Sequence, residues 1–196
     1  RDYNSTSSFK TEARFKNSNG KEFTARLSNE FSSKEDAVAF LSNLNGATFN
    51  VSEIIKKPLK KSAPAPFTTS TLQQEASRKL SFPVSKTMSV AQRLYESGHI
   101  TYMRTDSVNL STLAIDEAKK QVITSFGESY SSPKKYSTKS KSAQQAHEAV
   151  RPTNFSMSVD TIKDYDQKRL YSLILNRTLA SQMKPAELEK TNIKIS

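Results

Sequence analysis

The chain has 196 residues, with 30 lysines and arginines against 19 aspartates and glutamates, for a formal net charge of +11 at pH 7. It has no cysteine and two histidines, which excludes disulfide scaffolds, thiol nucleophiles, Cys-ligated zinc and His-rich metal centres. No run approaches the roughly 20 apolar residues that cross a bilayer, so an integral membrane protein is excluded. The positive charge favours a polyanionic partner, with a generally basic soluble protein as the alternative. Because the chain opens on Arg1 without a signal segment, we expect a cytoplasmic piece of a longer protein.

The start of the chain predicts a β-hairpin followed by a helix. Apolar and charged side chains alternate over residues 9–16 and again over 22–27, and the Asn-Gly pair at 19–20 between them is a strong turn signal. Ser33, with Asp36 three residues later, predicts a helix start in a capping-box arrangement.

A basic, proline-rich segment follows this region. Residues 48–56 are rich in β-branched side chains and predict a strand. Residues 56–66 contain four lysines and three prolines and predict an irregular connector, so we place a domain boundary at residue 66. The connector lysines are either phosphate contacts or part of a solvated linker.

The remainder predicts a helical domain and a closing strand. Apolar spacing and end signals predict helices at 70–80, 85–97, 111–126 and 164–183. Apolar and polar side chains alternate again after Pro185, which predicts a closing strand. The predicted fold class is therefore α+β, with a mostly helical domain, 67–183, inserted into a discontinuous β-rich domain made of 1–66 and 184–196.

The segment from residue 98 to 107 carries a candidate nucleophile. Tyr102 and Arg104 lie two residues apart in a predicted extended stretch, which places both side chains on one side of the backbone. A phenol with a pKa of about 10 attacks phosphorus best where cations stabilise the phenolate and the phosphate, and a guanidinium fork binds two phosphate oxygens. By itself this pattern is weak, because most tyrosines in folded proteins are packing residues.

Four separated motifs resemble, in order, the central part of the bacterial type IA DNA topoisomerases, in their topoisomerase I branch. The motifs are FTTSTLQQEA at 67–76, TMSVAQRLYE at 87–96, ITYMRTDS at 100–107 and AHEAVRPT at 146–153. The resemblance implies that the helical domain carries the active-site tyrosine. It also implies that the β-rich domain is the hinge on which the helical domain swings to open a gate for DNA.

The implied activity is ATP-independent relaxation of negatively supercoiled DNA. Tyr102 would attack one strand and become joined to the 5′ phosphate, leaving a free 3′ hydroxyl that reseals the break after strand passage. Arg104 would hold and polarise the scissile phosphate. The implied partner is DNA, in single-stranded segments of the supercoiled duplex. The implied setting is the bacterial cytoplasm at the nucleoid, with a monomer as the expected state.

Four further residues receive implied DNA-binding roles. His147 would donate a hydrogen bond to the DNA backbone near the break, and Arg151 would support the same surface. Asp106 either orients Arg104 and its loop or is a helix-start residue. Gln73 either contacts the strand or lies on a solvated helix face.

In the family, Mg²⁺ is bound by a separate Toprim domain whose motifs we do not find in this sequence. Asp164-Tyr165-Asp166 has the spacing of a carboxylate pair, but it opens a predicted helix, where acids favour the positive end. We therefore expect no metal site in this chain, and little cleavage by the chain alone. The alternative function is a non-catalytic single-stranded DNA-binding module, with Tyr102 stacking on a base and a lysine-rich loop holding phosphates. That loop contains Lys134, Lys135, Lys139 and Lys141.

Overall fold

The structure, a computed structural model, describes residues 7–137 and 147–196. Lys139 and Lys141 of the lysine-rich loop and Ala146 of the fourth motif lie outside the described residues. The chain divides into two units, unit 1 (Arg1–Pro58 and Glu189–Ser196) and unit 2 (Leu59–Leu188). No helix in the described ranges is long and apolar enough to cross a membrane.

The described residues form helices and paired strands in an α+β arrangement, with most of the helices between the third and the fourth strand. The strands are β1 (Glu12–Lys16), β2 (Glu22–Arg26), β3 (Val51–Lys61) and β4 (Ala186–Ile195). The α-helices are α1 (Lys34–Asn43), α2 (Thr69–Leu80), α3 (Val84–Glu96), α4 (Thr112–Phe126) and α5 (Tyr165–Ser181). Two 3₁₀ turns lie at Glu128–Tyr130 and Val159–Thr161.

Unit 1 contains the predicted hairpin. Strands β1 and β2 pair antiparallel with Phe15 opposite Phe23, and these rings stack at 5.5 Å between centroids. At the turn, the Asn17 Oδ1 atom accepts from the backbone N–H of Lys21 at 2.8 Å, and Gly20 adopts a φ of 78°, a conformation that costs glycine little. The hairpin therefore forms as predicted, and local turn chemistry fixes the register of its two strands.

Helix α1 begins as predicted but buries little. The Ser33 hydroxyl accepts from the backbone N–H of Asp36 at 3.1 Å and donates to its carboxylate at 2.6 Å. Among its apolar side chains, Ala37 is buried but Leu41 is 50% exposed. Ala37 is the one buried residue among the described residues of unit 1.

Strands β3 and β4 form a second two-stranded ribbon. Asn50 and Ser196 exchange both backbone hydrogen bonds, at 2.8 and 3.0 Å, as antiparallel neighbours do. The prediction of an irregular connector from residue 56 is wrong, because β3 continues through Pro58 to Lys61. Each strand of a two-stranded ribbon has an open edge, where a proline removes no ladder hydrogen bond.

Unit 2 holds the core of the described chain. Helices α2, α3 and α5 pack around one apolar cluster, and α4 packs on α5 around a smaller one. The largest side chains with almost no exposure include Phe67, Leu72, Leu94, Tyr171 and Ile174. Helix caps follow the predicted signals, since the Ser111 and Asp164 side chains accept from the first turns of α4 and α5.

Candidate active site around Tyr102

The tyrosine segment, residues 98–107, contains both buried and exposed side chains. Ile100 and Met103 are almost fully buried in the core of unit 2, at 1% and 0% exposure. Tyr102 is 44% exposed, and Arg104 on the other side of Met103 is also exposed. The two buried side chains therefore anchor a backbone that presents the phenol and the guanidinium to solvent.

Thr69, the first residue of α2, holds the backbone on both sides of Arg104. Its hydroxyl donates to the Met103 carbonyl at 2.7 Å and accepts from the Thr105 backbone N–H at 2.8 Å. The Thr69 N–H donates to the Thr105 carbonyl at 2.9 Å. These bonds fix the peptide groups that flank Arg104 to a helix terminus.

The His147 segment, residues 147–153, holds the other half of the tyrosine segment. The Thr101 hydroxyl donates to the Ala149 carbonyl at 2.7 Å and accepts from the Arg151 N–H at 3.0 Å. The Thr101 N–H donates to the Arg151 carbonyl at 2.9 Å. Ile100 forms an isolated bridge with Pro152. The first and fourth motifs are thus both joined to the tyrosine segment by hydrogen bonds.

Arg104 and Arg151 differ in how their charges are satisfied. Arg104 has no hydrogen bond or ion pair to any described residue. Arg151 forms two bonds with the Glu148 carboxylate, at 2.6 and 3.1 Å, and donates to the Pro152 carbonyl at 2.9 Å. Arg104 is therefore available to an external anion, whereas the Arg151 guanidinium is committed within the protein.

Glu148 links the His147 segment to the start of α4. Its carboxylate accepts from the Ser111 backbone N–H at 2.6 Å as well as from Arg151. Burial raises the pKa of Glu148, but the hydrogen bonds from Arg151 and Ser111 outweigh it and leave the pKa below its usual range. The carboxylate stays ionised at neutral pH and orients both groups.

An aromatic ring packs against the nucleophile candidate. The Tyr102 ring meets the Tyr95 ring of α3 edge to face, with centroids 5.3 Å apart. The Tyr102 hydroxyl has no hydrogen bond within the described part of the chain. His99 is half-buried, and its ring lies 6.3 Å from the Tyr171 ring, so it packs towards the core.

The remaining predicted DNA-binding residues differ in exposure. His147 is exposed at the start of its segment, and Gln73 is half-exposed one turn along α2 from Thr69. Asp106 is exposed and forms no ion pair with Arg104. The alternative that Asp106 starts a helix is wrong, because α4 begins at Thr112 with Ser111 as its cap.

The described residues do not fit a Mg²⁺ site. No group of three His, Asp or Glu side chains in residues 7–137 and 147–196 is placed to hold a metal ion. The Asp164 side chain accepts from the Gln167 N–H at 2.8 Å as a helix cap, and Asp166 pairs with Lys86 at 2.8 Å. This carboxylate pair therefore has a structural role at the start of α5.

Sequence reasoning missed three residues that build the site. Thr69, Thr101 and Glu148 lie inside motifs that were singled out, but they carry no charge pattern or spacing that indicates their role. Their partners are between 34 and 50 residues away for the two threonines and 37 residues away for Glu148 and Ser111. Such long-range bonds leave no local signal.

The chain is similar along its whole length to known DNA topoisomerases. The family model described as DNA topoisomerase matches residues 1–196. DNA topoisomerase 1 of Zymomonas mobilis is 47% identical over 165 residues, covering 83% of this chain and 13% of that protein. DNA topoisomerase 1 of Mycolicibacterium smegmatis is 48% identical over 165 residues, covering 81% of this chain and 18% of that protein.

A solved structure supports the same relationship. Full-length topoisomerase I from Thermotoga maritima aligns with a TM-score of 0.71 and 37% identity, over 95% of this chain and 31% of that one. The chain spans between 13% and 25% of the length of the first curated relatives it matches. Since the family match covers every residue, the chain belongs to the bacterial DNA topoisomerase I family of type IA topoisomerases.

Proposed function

We propose that this chain supplies the nucleophile of a type IA DNA topoisomerase that relaxes negatively supercoiled DNA without ATP. One observation carries the proposal. The exposed Tyr102 phenol and the exposed Arg104 guanidinium, unpaired in the described part of the chain, lie on a backbone fixed on both sides by threonine hydroxyls. A rigid backbone that presents an attacking group beside a free cation is suited to phosphoryl transfer.

The chemical step conserves the phosphodiester bond. The Tyr102 Oη atom attacks the phosphorus of one strand, and the bond between phosphorus and the 3′ oxygen breaks. The phenol loses its proton and the departing 3′ oxygen gains one, which leaves a 5′-phosphotyrosine and a 3′ hydroxyl. Resealing is the reverse reaction. Because one phosphoester replaces another, the cycle of cleavage, strand passage and resealing consumes no nucleotide.

Arg104 offsets the charge that develops on the phosphate in this step. Its guanidinium has no partner among the described residues, so it can place two N–H groups on the phosphate oxygens without breaking an existing ion pair. The Tyr95 ring limits the directions in which the phenol can turn. The free guanidinium and the restricted ring together favour one attack geometry.

We propose the other DNA contacts from where each residue lies in the structure. His147 is exposed at the start of the segment that is bonded to Thr101, and it would donate to the DNA backbone. Gln73 would contact the strand from α2. Arg151 would act through Glu148 and its own backbone, since its guanidinium is already bonded. Asp106 would face the strand or solvent near Arg104.

The test uses the full-length protein that contains this sequence and a single-stranded oligonucleotide labelled at its 3′ end. After quenching with denaturant, we expect label to migrate with the protein, because the fragment on the 3′ side of the break keeps the phosphate joined to Tyr102. The same oligonucleotide labelled at its 5′ end would release a free labelled fragment. Tyr102→Phe, which retains the ring contact with Tyr95, would abolish the protein-linked band.

Tyr130→Phe is the matched control, since it also removes one exposed phenol hydroxyl from unit 2 and leaves Tyr102 intact. It should form the adduct at the wild-type level. An adduct that persists in Tyr102→Phe would refute the assignment of the nucleophile. Oligonucleotide binding with no adduct under any condition, including added Mg²⁺, would favour the non-catalytic single-stranded DNA-binding module instead.

A further inference from the structure

A second basic surface lies in unit 2, formed by none of the residues of the tyrosine segment or the His147 segment. It is a cleft of 640 Å³ between one face of α5, the end of α2 and residues 64–67. We call it the α5 cleft. Its charged and aromatic lining residues are Phe67, Glu75, Lys79, Tyr165, Lys168, Arg169 and Arg177.

The α5 face of this cleft carries polar and charged side chains interspersed with the apolar Leu173 and Ala180. The lining positions recur every three or four residues from Tyr165 to Ala180, which is one side of a helix. The opposite side of α5 is buried in the core through Leu170, Tyr171 and Ile174. The lining face contributes three cations and no carboxylate to the cleft. Such a face is left for solvent or for an anionic ligand.

Two of these cations form no ion pair with a carboxylate in the described ranges, although the charge of Glu75 still attracts Arg177. Lys168 pairs with Asp160, and Lys79 with Glu75 at 3.2 Å, so their charges are offset locally. No ion pair involves Arg169 or Arg177. Glu75, the one carboxylate lining the cleft, is held by Arg78 at 2.7 Å, and with Lys79 this keeps its pKa at about 2. The cleft therefore retains positive charge at all physiological pH values.

The two arginines are held in place but not saturated. The Arg177 Nε donates to the Ala65 carbonyl at 2.8 Å, and its guanidinium stacks on the Phe67 ring, 4.5 Å from the centroid. Arg169 donates one bond to the Leu80 carbonyl at 3.2 Å and lies over the Tyr165 ring at 5.4 Å. A guanidinium has five N–H groups, so most donors of both side chains remain available.

The spacing and the exposed ring suit a nucleic-acid strand. Arg169 and Arg177 are two turns apart on α5, about 12 Å along the axis at 1.5 Å per residue. That separation allows the two guanidiniums to contact different phosphates of one strand. Tyr165, at the start of the lining face, is 72% exposed and offers a ring on which a base can stack.

We propose that the α5 cleft binds a segment of single-stranded nucleic acid non-covalently, with phosphates on Arg169 and Arg177 and a base on Tyr165. The site would hold a strand that is not being cut, separately from the scissile phosphate at Tyr102. The inference rests on the proposed function for the identity of the strand as DNA.

The test measures equilibrium binding of a short fluorescent oligothymidylate to the 196-residue chain carrying Tyr102→Phe, by anisotropy over a range of salt concentrations. In that background, Arg169→Gln should weaken binding roughly three- to tenfold, and the slope of log affinity against log salt should fall by about 0.7, the value for one lost phosphate contact on a single strand. Tyr165→Ala should weaken binding by a similar factor without changing the slope, because stacking releases no counterion.

The matched control is Lys120→Gln on the exposed face of α4, which removes the same charge outside the cleft. It should leave both affinity and slope near their starting values. A photoreactive iodouridine oligonucleotide should crosslink to Tyr165, and peptide mapping locates the adduct even if a variant folds poorly. Thermal unfolding of each variant checks its fold.

Equal affinity and slope for Arg169→Gln and its parent, or crosslinks confined to other peptides, would overturn the proposal. Binding too weak to measure would overturn it as well. The covalent-adduct assay with full-length protein is independent of these readouts. Loss of the adduct with a preserved Arg169 effect would refute the tyrosine mechanism and leave the cleft as a binding site.

Discussion

The hydroxyl of Thr69 bonds to both peptide groups that flank Arg104. No hydrogen bond in the described chain joins Thr69 to the phenol or the guanidinium, so we expect Thr69 to influence the reaction through the position of the backbone. Misplacement of reacting groups by about 1 Å can cost about a hundredfold in rate. We therefore propose that Thr69 is a positioning residue for Tyr102 and Arg104.

Thr69→Val in the full-length protein should slow single-turnover DNA cleavage about ten- to a hundredfold, because the isosteric side chain cannot donate to Met103 or accept from Thr105. Thr69→Ser keeps the hydroxyl and should restore most of the rate. Oligonucleotide affinity should change little in either variant. A cleavage rate in Thr69→Val equal to wild type, or one that Ser fails to restore, would contradict the positioning role.

At the scale of elements, the sequence predicted what local chemistry determines. The Asn-Gly turn of the β1–β2 hairpin and the Ser33, Ser111 and Asp164 caps each act within four residues, and all are present. The predicted connector at 56–61 was wrong because proline density alone does not distinguish a linker from an open-edged ribbon. Leu41 of α1 and Phe126 of α4 are exposed apolar side chains, because helical periodicity identifies an apolar face but not whether another element covers it.

In the candidate site too, the sequence predicted the features that neighbouring residues determine and missed those that distant residues determine. Tyr102 and Arg104 were found because they are neighbours in sequence, and their exposure on either side of buried Met103 agrees with the predicted alternation. The threonine bonds that hold them come from elements more than 30 residues away. Only the folded chain brings those elements together. Assignments of Tyr102 and Arg104 to chemistry stay predictions until cleavage is measured.

The link between α4 and the His147 segment leads to a pH-dependent prediction. The Glu148 pKa is lowered in the folded protein, so its contribution is present above the unfolded value of about 4.5 and is lost as pH falls through the lower folded value. Glu148→Gln should lower the free energy of unfolding by about 1–3 kcal/mol at neutral pH, because Arg151 and the Ser111 N–H lose a charged acceptor.

Urea denaturation across the acidic range measures this effect. The difference between Glu148→Gln and wild type should shrink as the solution becomes more acidic than the folded pKa of Glu148. Glu117→Gln, which removes an exposed carboxylate from α4, is the matched control and should change stability little at any pH. A difference for Glu148→Gln that does not vary with pH would show that the carboxylate charge is not what joins the two elements.

At the scale of the whole molecule, the two units differ in how much apolar surface they bury. Unit 2 has two apolar clusters with side chains such as Leu94 and Ile174 at 0% exposure. In unit 1, aromatic pairs such as Phe15 with Phe49 at 5.2 Å provide contacts, but one described residue, Ala37, is buried. Regions with few buried apolar contacts open at low free energy.

Native-state hydrogen exchange of the 196-residue chain should therefore show lower amide protection in unit 1 than in unit 2. Amides of β1 and β2 should exchange through low-energy openings, whereas amides of α3 and α5 should exchange only with unfolding of unit 2. Leu94→Ala should lower the protection of α3 and α5 by about 2–5 kcal/mol and leave β1 and β2 unchanged. Val38→Ala, on the exposed face of α1, is the control. Equal protection in both units, or a loss in β1 and β2 caused by Leu94→Ala, would mean that the chain unfolds as one cooperative body.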